Sequence, residues 1–335
     1  MNWEENVRRV VPYVPGEQPK DTNVIKLNTN ENPYPPAPGV EKLKQEFSCD
    51  RLRLYPDPEA TVLVDAIAKR YGVKPAQVFV GVGSDDVLAM AFLTFFNGEK
   101  PILFPDITYS FYDVWADLYR IPYKTCPLDE NFRMNIRDYE QENGGIIFPN
   151  PNAPTGVLET VKNIETIVKN NPDVVVIVDE AYIDFGGTSV LPLVEKYENL
   201  LVVQTFYKSR SMAGMRICFA IGSKKLISYM NDVKFSFNSY TMDWFTQILG
   251  AEAVRDEAYF KKCTDKIVEV REWTKEELKK LQFTFEDSRA NFIFAKHATL
   301  SGDTIFKALK ERKIFVRHWT KERISDYLRI SIGTK

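Results

Sequence analysis

The spacing of apolar residues switches repeatedly between strand and helix patterns in the first part of the chain. Residues 174–178 are an unbroken β-branched run that ends at Asp179, which is typical of a strand buried on both faces. Just before it, residues 160–170 place apolar side chains at helical spacing. This alternation predicts an α/β fold with a mostly parallel sheet flanked by helices. Ligands of such folds bind at the carboxyl ends of the strands.

The same spacing predicts the other elements of this region. A short helix near 40–47 and a helix at 59–71 come first. The chain up to residue 221 is then divided into predicted strands at 77–80, 101–104, 145–148, 200–205 and 217–221, and predicted helices at 84–96 and 109–119.

A different pattern begins near residue 236. Two long helical stretches are followed by strand-like segments and one more helix, at 241–256, 258–281, 283–286, 291–295, 304–313, 314–317 and 327–331. We therefore expect an N-terminal arm and substrate loop at 1–38, a large domain at 39–235 and a smaller α+β domain at 236–335. The many Pro and Asn residues of the first segment favour loop structure there.

Charge and rare residues argue against several classes of function. The 335 residues carry 44 Lys and Arg against 46 Asp and Glu, and this net charge of −2 argues against an electrostatic nucleic-acid binder. No cysteine pair has zinc-ligand spacing, and His297 and His318 form no HExxH motif, so no metal site is expected. We find no signal core or membrane span, and scattered cysteines favour a reducing compartment, so we expect a cytoplasmic protein.

Four motifs follow predicted strands and should meet at one edge of the sheet. GVGSDD, which contains Ser84 and Asp85, lies between a strand and a helix and presents free backbone N–H groups where a phosphate can bind. We expect Ser84 to cap that helix. NPNAPTG, which contains Asn152, is predicted to be a rigid turn in which cis X–Pro bonds are allowed.

The other two motifs carry charged side chains. Asp179 ends a buried strand, where a desolvated carboxylate needs a cationic or proton-donating partner. Lys208, in FYKSRSMAGMR, is a candidate for covalent attachment of a carbonyl group, and Arg210 and Arg216 are candidates for holding a phosphate. Taken singly, the motifs also fit a glycine turn, a proline loop, a locally bonded aspartate and a basic surface turn.

Together and in this order, the motifs resemble those of the fold-type I pyridoxal-phosphate aminotransferases. The similarity runs from RRVVPYVPG through KLNTNENPYPP, LYPDP and PDITYSFY to LRISIGT, which is nearly the whole chain. More narrowly, the chain looks like the histidinol-phosphate aminotransferase group of that family. The resemblance implies pyridoxal 5′-phosphate as the cofactor and a homodimer as the assembly.

The resemblance also implies roles for individual residues. Lys208 would carry the cofactor and move the proton of the reaction, and Asp179 would pair with the ring nitrogen. Further cofactor contacts are implied for Ser84 and Asp85 (amides at the phosphate), Tyr109 (ring stacking), Tyr182 (ring O3′), Arg216 (phosphate) and Tyr55 (phosphate of the neighbouring subunit). Substrate contacts are implied for Arg329 (α-carboxylate), Arg317 and Tyr13 (phosphate end), and Asn30 and Asn32 (a loop that covers the site).

Two positions depart from the family pattern. A small hydroxyl residue usually precedes the lysine and contacts the cofactor phosphate, and here that residue is Tyr207. Either the phosphate is held differently or Tyr207 points away. The asparagine usual before PTG is Ala153, so the O3′ contact either passes to Asn152 or rests with Tyr182 alone.

The resemblance implies transamination of histidinol phosphate with 2-oxoglutarate, giving imidazole acetol phosphate and glutamate, in histidine biosynthesis. An aromatic amino-acid aminotransferase and a threonine-phosphate decarboxylase on the same scaffold stay open as alternatives. A non-catalytic cofactor-binding protein is disfavoured by the intact Lys208, Asp179 and Arg329. The expected partners are a phosphate-bearing amino donor, 2-oxoglutarate or glutamate, and a second copy of the chain, with neither nucleic acid nor membrane.

Overall fold

A computed structural model describes residues 3–21 and 23–335. Residues 1, 2 and 22 of the expected N-terminal arm lie outside the described part. In that part, the helices are α1 (Pro38–Glu46), α2 (Thr61–Tyr71), α3 (Ser84–Phe95), α4 (Tyr112–Tyr119), α5 (Val161–Asn170), α6 (Lys224–Phe237), α7 (Trp244–Arg255), α8 (Glu257–Lys280) and α9 (Gly302–Glu311). The strands are β1 (Ile25–Lys26), β2 (Val78–Gly81), β3 (Ile102–Pro105), β4 (Tyr123–Cys126), β5 (Gly145–Pro149), β6 (Val176–Asp179), β7 (Leu200–Thr205), β8 (Cys218–Ile221), β9 (Phe283–Phe285), β10 (Phe292–His297), β11 (Ile314–Phe315), β12 (Arg317–His318) and β13 (Tyr327–Ser331).

The large sheet has seven strands in the order β2-β8-β7-β6-β5-β3-β4. All its neighbouring pairs are parallel except those of β8, which is antiparallel to both β7 and β2. The mostly parallel sheet is thus confirmed. The chain returns directly from β7 to β8, and a direct return without a crossover helix produces an antiparallel pair.

Helices cover both faces of this sheet. Buried residues of α2, α5 and α7 form one apolar cluster with the strands, and buried residues of α3, α4 and α6 form another. Because both faces are covered, β6 has no exposed position: Val176, Ile177 and Val178 are all buried, and so is Asp179. Asp179 therefore lies at the carboxyl end of the strand, and helices shield it from water on both faces of the sheet.

A smaller sheet of four antiparallel strands, in the order β12-β13-β10-β9, follows in the chain. Its core contains Ile267 and Val270 of α8 together with Phe292 and Ile293 of β10. Strand β1 of the arm pairs in parallel with β11, which attaches the arm to this part of the molecule.

Some elements differ from the sequence-based prediction. Strand β4 and helix α6 were not expected: β4 is an edge strand whose first three residues are exposed, so it lacks an apolar pattern. Helix α7 lies C-terminal to the expected boundary at 236, yet Leu249 and Val254 of this helix belong to the core of the large sheet. The division at 236 stays a prediction. From this packing we propose that the small domain begins at α8.

Within residues 3–21 and 23–335, no helix combines the length and the apolar character needed to cross a membrane. The same residues contain no group of three or more His, Cys, Asp or Glu arranged to hold a metal ion.

Candidate active site

A cavity of about 200 Å³ opens at the carboxyl ends of β5, β6 and β7. One side is formed by the large sheet, and the other by the arm and by strands β12 and β13. Most of the residues expected at the site line this cavity: Tyr13, Asn30, Ser84, Asp85, Tyr109, Asp179, Tyr182, Lys208, Arg216, Arg317 and Arg329. Residues up to 316 positions apart in the chain are thereby brought to one place.

Asp179 is a buried carboxylate, with 5% of its surface exposed. It accepts hydrogen bonds from the Ala181 N–H at 3.1 Å and the Tyr112 hydroxyl at 3.2 Å. Burial raises the pKa of Asp179 to about 6, and these two bonds offset only part of the effect. No Lys, Arg or His side chain of the described residues forms an ion pair with it, although the charge of Lys208 in the same cavity lowers its pKa. The carboxylate is therefore suited to a cationic N–H donor supplied by a ligand.

Lys208 lies three residues beyond the end of β7 and reaches into the cavity. Its Nζ donates to the Thr29 carbonyl at 3.2 Å and lies 5.7 Å from the centre of the Tyr182 ring. Asn32 does not line the cavity; its side-chain amide donates to the Lys208 carbonyl at 2.8 Å. The structure thus places Asn32 where it positions the lysine rather than where it would touch a substrate.

Tyr182 is connected to the arm and the small sheet by hydrogen bonds. Its hydroxyl accepts from the Asn30 side chain at 3.0 Å, and Asn30 exchanges bonds of 2.9 Å and 3.0 Å with the Ser331 hydroxyl. Asn30 has a φ of 55°, in the left-handed region that Asn tolerates better than most residues. This network holds the Tyr182 hydroxyl as an acceptor and leaves its proton for a ligand.

The start of helix α3 forms a third wall of the cavity. Arg216 pairs with Asp85 at 2.8 Å, and the Tyr109 hydroxyl donates to the other oxygen of Asp85 at 2.9 Å. The expectation that Ser84 caps this helix was wrong: Ser84 is its first residue, and the N-cap is Gly83, which has no side chain to offer. The Ser84 N–H already donates to the Tyr207 hydroxyl at 3.0 Å. The other amides of the first turn and the guanidinium suit an anion.

Two arginines form the opposite end of the cavity. Arg317 and Arg329 are directly opposite one another on β12 and β13. Their guanidinium groups lie 5.4 Å and 5.3 Å from the centre of the Trp319 ring. Arg329 also donates to the Asn28 carbonyl at 3.0 Å, while its Nε is buried without a partner. A buried guanidinium N–H without a partner is a binding position for a carboxylate or phosphate.

Three residues proposed for anion or cofactor contacts lie elsewhere in this chain. Asn152 does not line the cavity, because its amide donates to the Ile107 carbonyl and to Thr155. Arg210 donates to the Ala253 carbonyl and stacks 4.2 Å from the Phe260 ring centre. Tyr55 is 79% exposed. The expected turn is present, and both of its X–Pro bonds, Asn150–Pro151 and Ala153–Pro154, are cis.

Some residues at the site were not found by sequence reasoning. Thr205 and Thr29 line the cavity, Tyr112 bonds to Asp179, and Trp319 contacts both arginines. Thr205 carried a usable signal, because it ends a strand whose neighbour in the sheet ends at Asp179. Tyr112 and Trp319 carried no such signal, because the sequence does not show whether a helix tyrosine or a loop tryptophan faces a site or the core.

The comparisons with known proteins first define a class. The model of the family described as aminotransferase class I and II matches residues 22–335, and the chain belongs to that family.

The most similar relatives that are named belong to one narrower group within this class. The chain is 53% identical over 334 residues to a histidinol-phosphate aminotransferase of Lactococcus lactis subsp. cremoris (strain MG1363), covering 100% of this chain and 94% of that protein. It is 51% identical over 333 residues to the protein of the same name from Clostridium botulinum (strain Okra / Type B1), covering 99% and 94%. It is therefore a member of the histidinol-phosphate aminotransferases, as the sequence motifs predicted.

A solved structure has the same fold at low sequence identity. The histidinol-phosphate aminotransferase from Sinorhizobium meliloti, in complex with pyridoxal 5′-phosphate, matches with a TM-score of 0.85 and 20% identity over 93% of this chain and 87% of that one. This likeness confirms the predicted fold type.

Aminotransferases of this family use pyridoxal phosphate, and the residues of the cavity fit that group. A buried carboxylate without a cationic partner suits the protonated ring nitrogen. The start of α3 beside Arg216 suits the phosphate, and Lys208 supplies an amine in the same cavity. The expected cofactor is thus supported by the donor set itself as well as by the family.

Proposed function

We propose that this protein transfers the amino group of histidinol phosphate to 2-oxoglutarate, giving imidazole acetol phosphate and glutamate, a step of histidine biosynthesis. The observation that carries the proposal is the 53% identity over the full chain to a protein named for this activity. The cavity supports it, because it contains both an amine beside a buried carboxylate and a separate pair of arginines.

The cofactor end would act through Lys208, Asp179, Tyr182 and Tyr109. Bound pyridoxal phosphate would supply the carbonyl group that takes up the amine and the ring that stabilises negative charge at the substrate Cα. Asp179 would accept the ring N–H and keep that nitrogen charged. Tyr182 would donate to the ring oxygen, and Tyr109 would cover the ring. Lys208 would take the proton from Cα and return one, as general base and then general acid.

The substrate end would act through Arg317, Arg329 and Tyr13. Histidinol phosphate has a phosphate and no α-carboxylate, whereas glutamate has two carboxylates. Arg329 would bind the α-carboxylate of glutamate, and Arg317 would bind either the phosphate of one substrate or the side-chain carboxylate of the other. The pair on β12 and β13 therefore accounts for two different substrates in one pocket.

A substrate panel tests this function. The purified protein, loaded with pyridoxal phosphate, is assayed with 2-oxoglutarate and each of four amino donors: histidinol phosphate, phenylalanine, tyrosine and threonine phosphate. The highest kcat/KM is expected with histidinol phosphate. A higher value with phenylalanine or tyrosine would identify an aromatic aminotransferase. Carbon dioxide release without 2-oxoglutarate would identify a decarboxylase, and no reaction with any donor would refute the proposal.

We also propose a homodimer in which Tyr55 reaches the cofactor phosphate of the partner subunit. The Tyr55 ring is exposed and lies 4.8 Å from the ring of Tyr240, which is itself 47% exposed. Its loop is nevertheless held firmly. Trp244 donates to the Tyr55 carbonyl at 3.0 Å, and Lys234 donates to the Pro58 carbonyl at 2.8 Å. An exposed aromatic residue on an anchored loop suits a fixed contact with a second copy.

Hybrid dimers test this arrangement. Differently tagged Tyr55→Phe and Lys208→Ala subunits are mixed, and the hybrid is isolated. If Tyr55 acts across the interface, the hybrid contains one site with both residues intact and is active at limiting cofactor, although the Lys208→Ala parent is not. A hybrid as inactive as its Lys208→Ala parent, or a monomer by light scattering, would contradict the proposal.

We retain cytoplasm as the proposed location. All four cysteines are free, which is typical of proteins in a reducing compartment. Fractionation of the producing cells with a specific antibody would test it, and recovery outside the cytoplasm would refute it.

A further inference from the structure

The hydroxyl of Tyr207 lies at the start of helix α3. Its oxygen accepts the backbone N–H of Ser84 at 3.0 Å, and the side chain is only 6% exposed. A Cβ at Gly83, where φ is 101°, would collide with this oxygen. Only glycine therefore allows the hydroxyl to reach the end of the helix. Tyr207 points into the cavity and not away from it.

The proton of this hydroxyl is available. None of the carbonyl or carboxyl groups in the described part of the chain accepts it, because the single bond of the hydroxyl is the one from Ser84. Burial raises the pKa of Tyr207, so the group stays a donor at neutral pH. The Arg216 guanidinium lies 4.4 Å above its ring centre and is anchored by Asp85. An O–H donor and a cation thus converge beside a helix N-terminus.

We propose that helix α3 holds the cofactor phosphate through Tyr207. The Ser84 N–H donates to the Tyr207 oxygen, and the Tyr207 O–H donates to the phosphate, with Arg216 beside it. A small hydroxyl residue at this position would leave the Ser84 N–H free to contact the anion directly. In this chain the tyrosine takes that N–H. A hydroxyl that accepts from a helix amide is polarised and donates more strongly.

The contact of Tyr207 with the phosphate does not depend on which amino donor the enzyme uses. It is tested on the apo-protein without turnover, by equilibrium titration with pyridoxal phosphate and, separately, with pyridoxal, which lacks the phosphate. Tyr207→Phe removes one oxygen atom and keeps the ring. The dissociation constant for pyridoxal phosphate is expected to rise by about 10- to 100-fold, the loss of one hydrogen bond to a charged group. The constant for pyridoxal is expected to stay unchanged.

Tyr71→Phe is the matched control. Tyr71 also donates one hydrogen bond inside the large domain, to Gln204 at 2.8 Å, but it does not line the cavity. Its variant is expected to bind both compounds like the parent. Unchanged binding of pyridoxal phosphate by Tyr207→Phe would overturn the proposal. So would an equal loss of affinity for pyridoxal and pyridoxal phosphate, because that result means a structural role.

A second variant separates the two hydrogen bonds of the Tyr207 hydroxyl, the one accepted from the Ser84 N–H and the one donated to the phosphate. Tyr207→Ser frees the Ser84 N–H for direct contact with the phosphate, so it is expected to bind pyridoxal phosphate more tightly than Tyr207→Phe. A serine variant that binds no better than the phenylalanine variant would contradict the idea that tyrosine and phosphate compete for the helix amide. Lack of turnover with histidinol phosphate would refute the proposed function and leave these binding results intact.

Discussion

The two ends of the cavity are built in different ways. At the cofactor end, the polar groups come from strand ends and a helix start of the large sheet, and most of them are already bonded to protein: Asp179 to Tyr112 and Ala181, and Asp85 to Arg216. At the substrate end, Arg317 and Arg329 stand on short strands over Trp319, and Arg329 keeps an unpartnered Nε. A site that holds one cofactor permanently can be prearranged, whereas a site that admits two substrates in turn must keep donors free.

The largest expected effect comes from the cofactor end. Lys208→Ala removes the only amine that lines the described cavity and should lower kcat by at least about 10⁴-fold, because both proton transfers at Cα depend on it. Stopped-flow absorbance would show the loss in each half-reaction. The control is Lys225→Ala, an exposed lysine on α6, which should keep full activity. A Lys208→Ala protein with near-normal turnover would contradict the assignment.

Asp179→Asn separates catalysis from stability. The variant should lower kcat by about 10²- to 10³-fold, since a neutral partner no longer stabilises the charged ring nitrogen. The apo-protein should become more stable, because the buried wild-type carboxylate is costly when ionised.

The stability gained by Asp179→Asn should increase with pH. Burial raises the pKa of Asp179 from 3.8 to about 6, so the folded wild type binds more protons than the unfolded chain between these pH values. Its stability therefore falls as pH rises from about 4 to about 6. The Asn variant should gain up to about 3 kcal/mol over the wild type across this range. Glu180, whose pKa burial raises to about 7, is present in both proteins and cancels in the difference. Urea unfolding of both proteins at pH 4 and pH 7 measures the difference in their free energies of unfolding. The same difference at both pH values would contradict the prediction.

Substitutions at the substrate end should have smaller effects, and these should differ between the two substrates. Arg329→Gln should raise KM for 2-oxoglutarate by about 10- to 100-fold, the loss of a charge-assisted contact, and change that for histidinol phosphate much less. Arg317→Gln should raise KM for 2-oxoglutarate and KM for histidinol phosphate alike. Neither should alter the dissociation constant of pyridoxal phosphate. Equal effects of the two substitutions on both substrates would mean that the arginines act as a single site.

The cofactor end was also the more predictable one. Asp179 and Lys208 each follow a buried strand, and parallel strands put their carboxyl ends at one edge, so their meeting follows from the sequence pattern. Arg317 and Arg329 carry no such signal, because their place opposite the sheet depends on how the small sheet packs. Only the resemblance to a family indicated them. Side-chain direction was the least predictable feature: Asn32 and Asn152 lie close to the site in sequence but turn their amides to the backbone.

The smallest expected effect lies where the two ends meet. Asn30 of the arm bonds to Tyr182 at 3.0 Å and to Ser331 of the small sheet, so it connects the cofactor end to the strand that carries Arg329. Asn30→Ala removes the side-chain bond to Tyr182 and the bond that Asn30 accepts from the Ser331 hydroxyl. Loss of the bond to Tyr182, worth about 1 kcal/mol, should change rates by about 5-fold. If Asn30 serves only Tyr182, kcat falls and KM for 2-oxoglutarate stays constant. A matching rise in that KM would show that the arm also positions β13. Asn238→Ala, on the exposed end of α6, is the control that should change neither value.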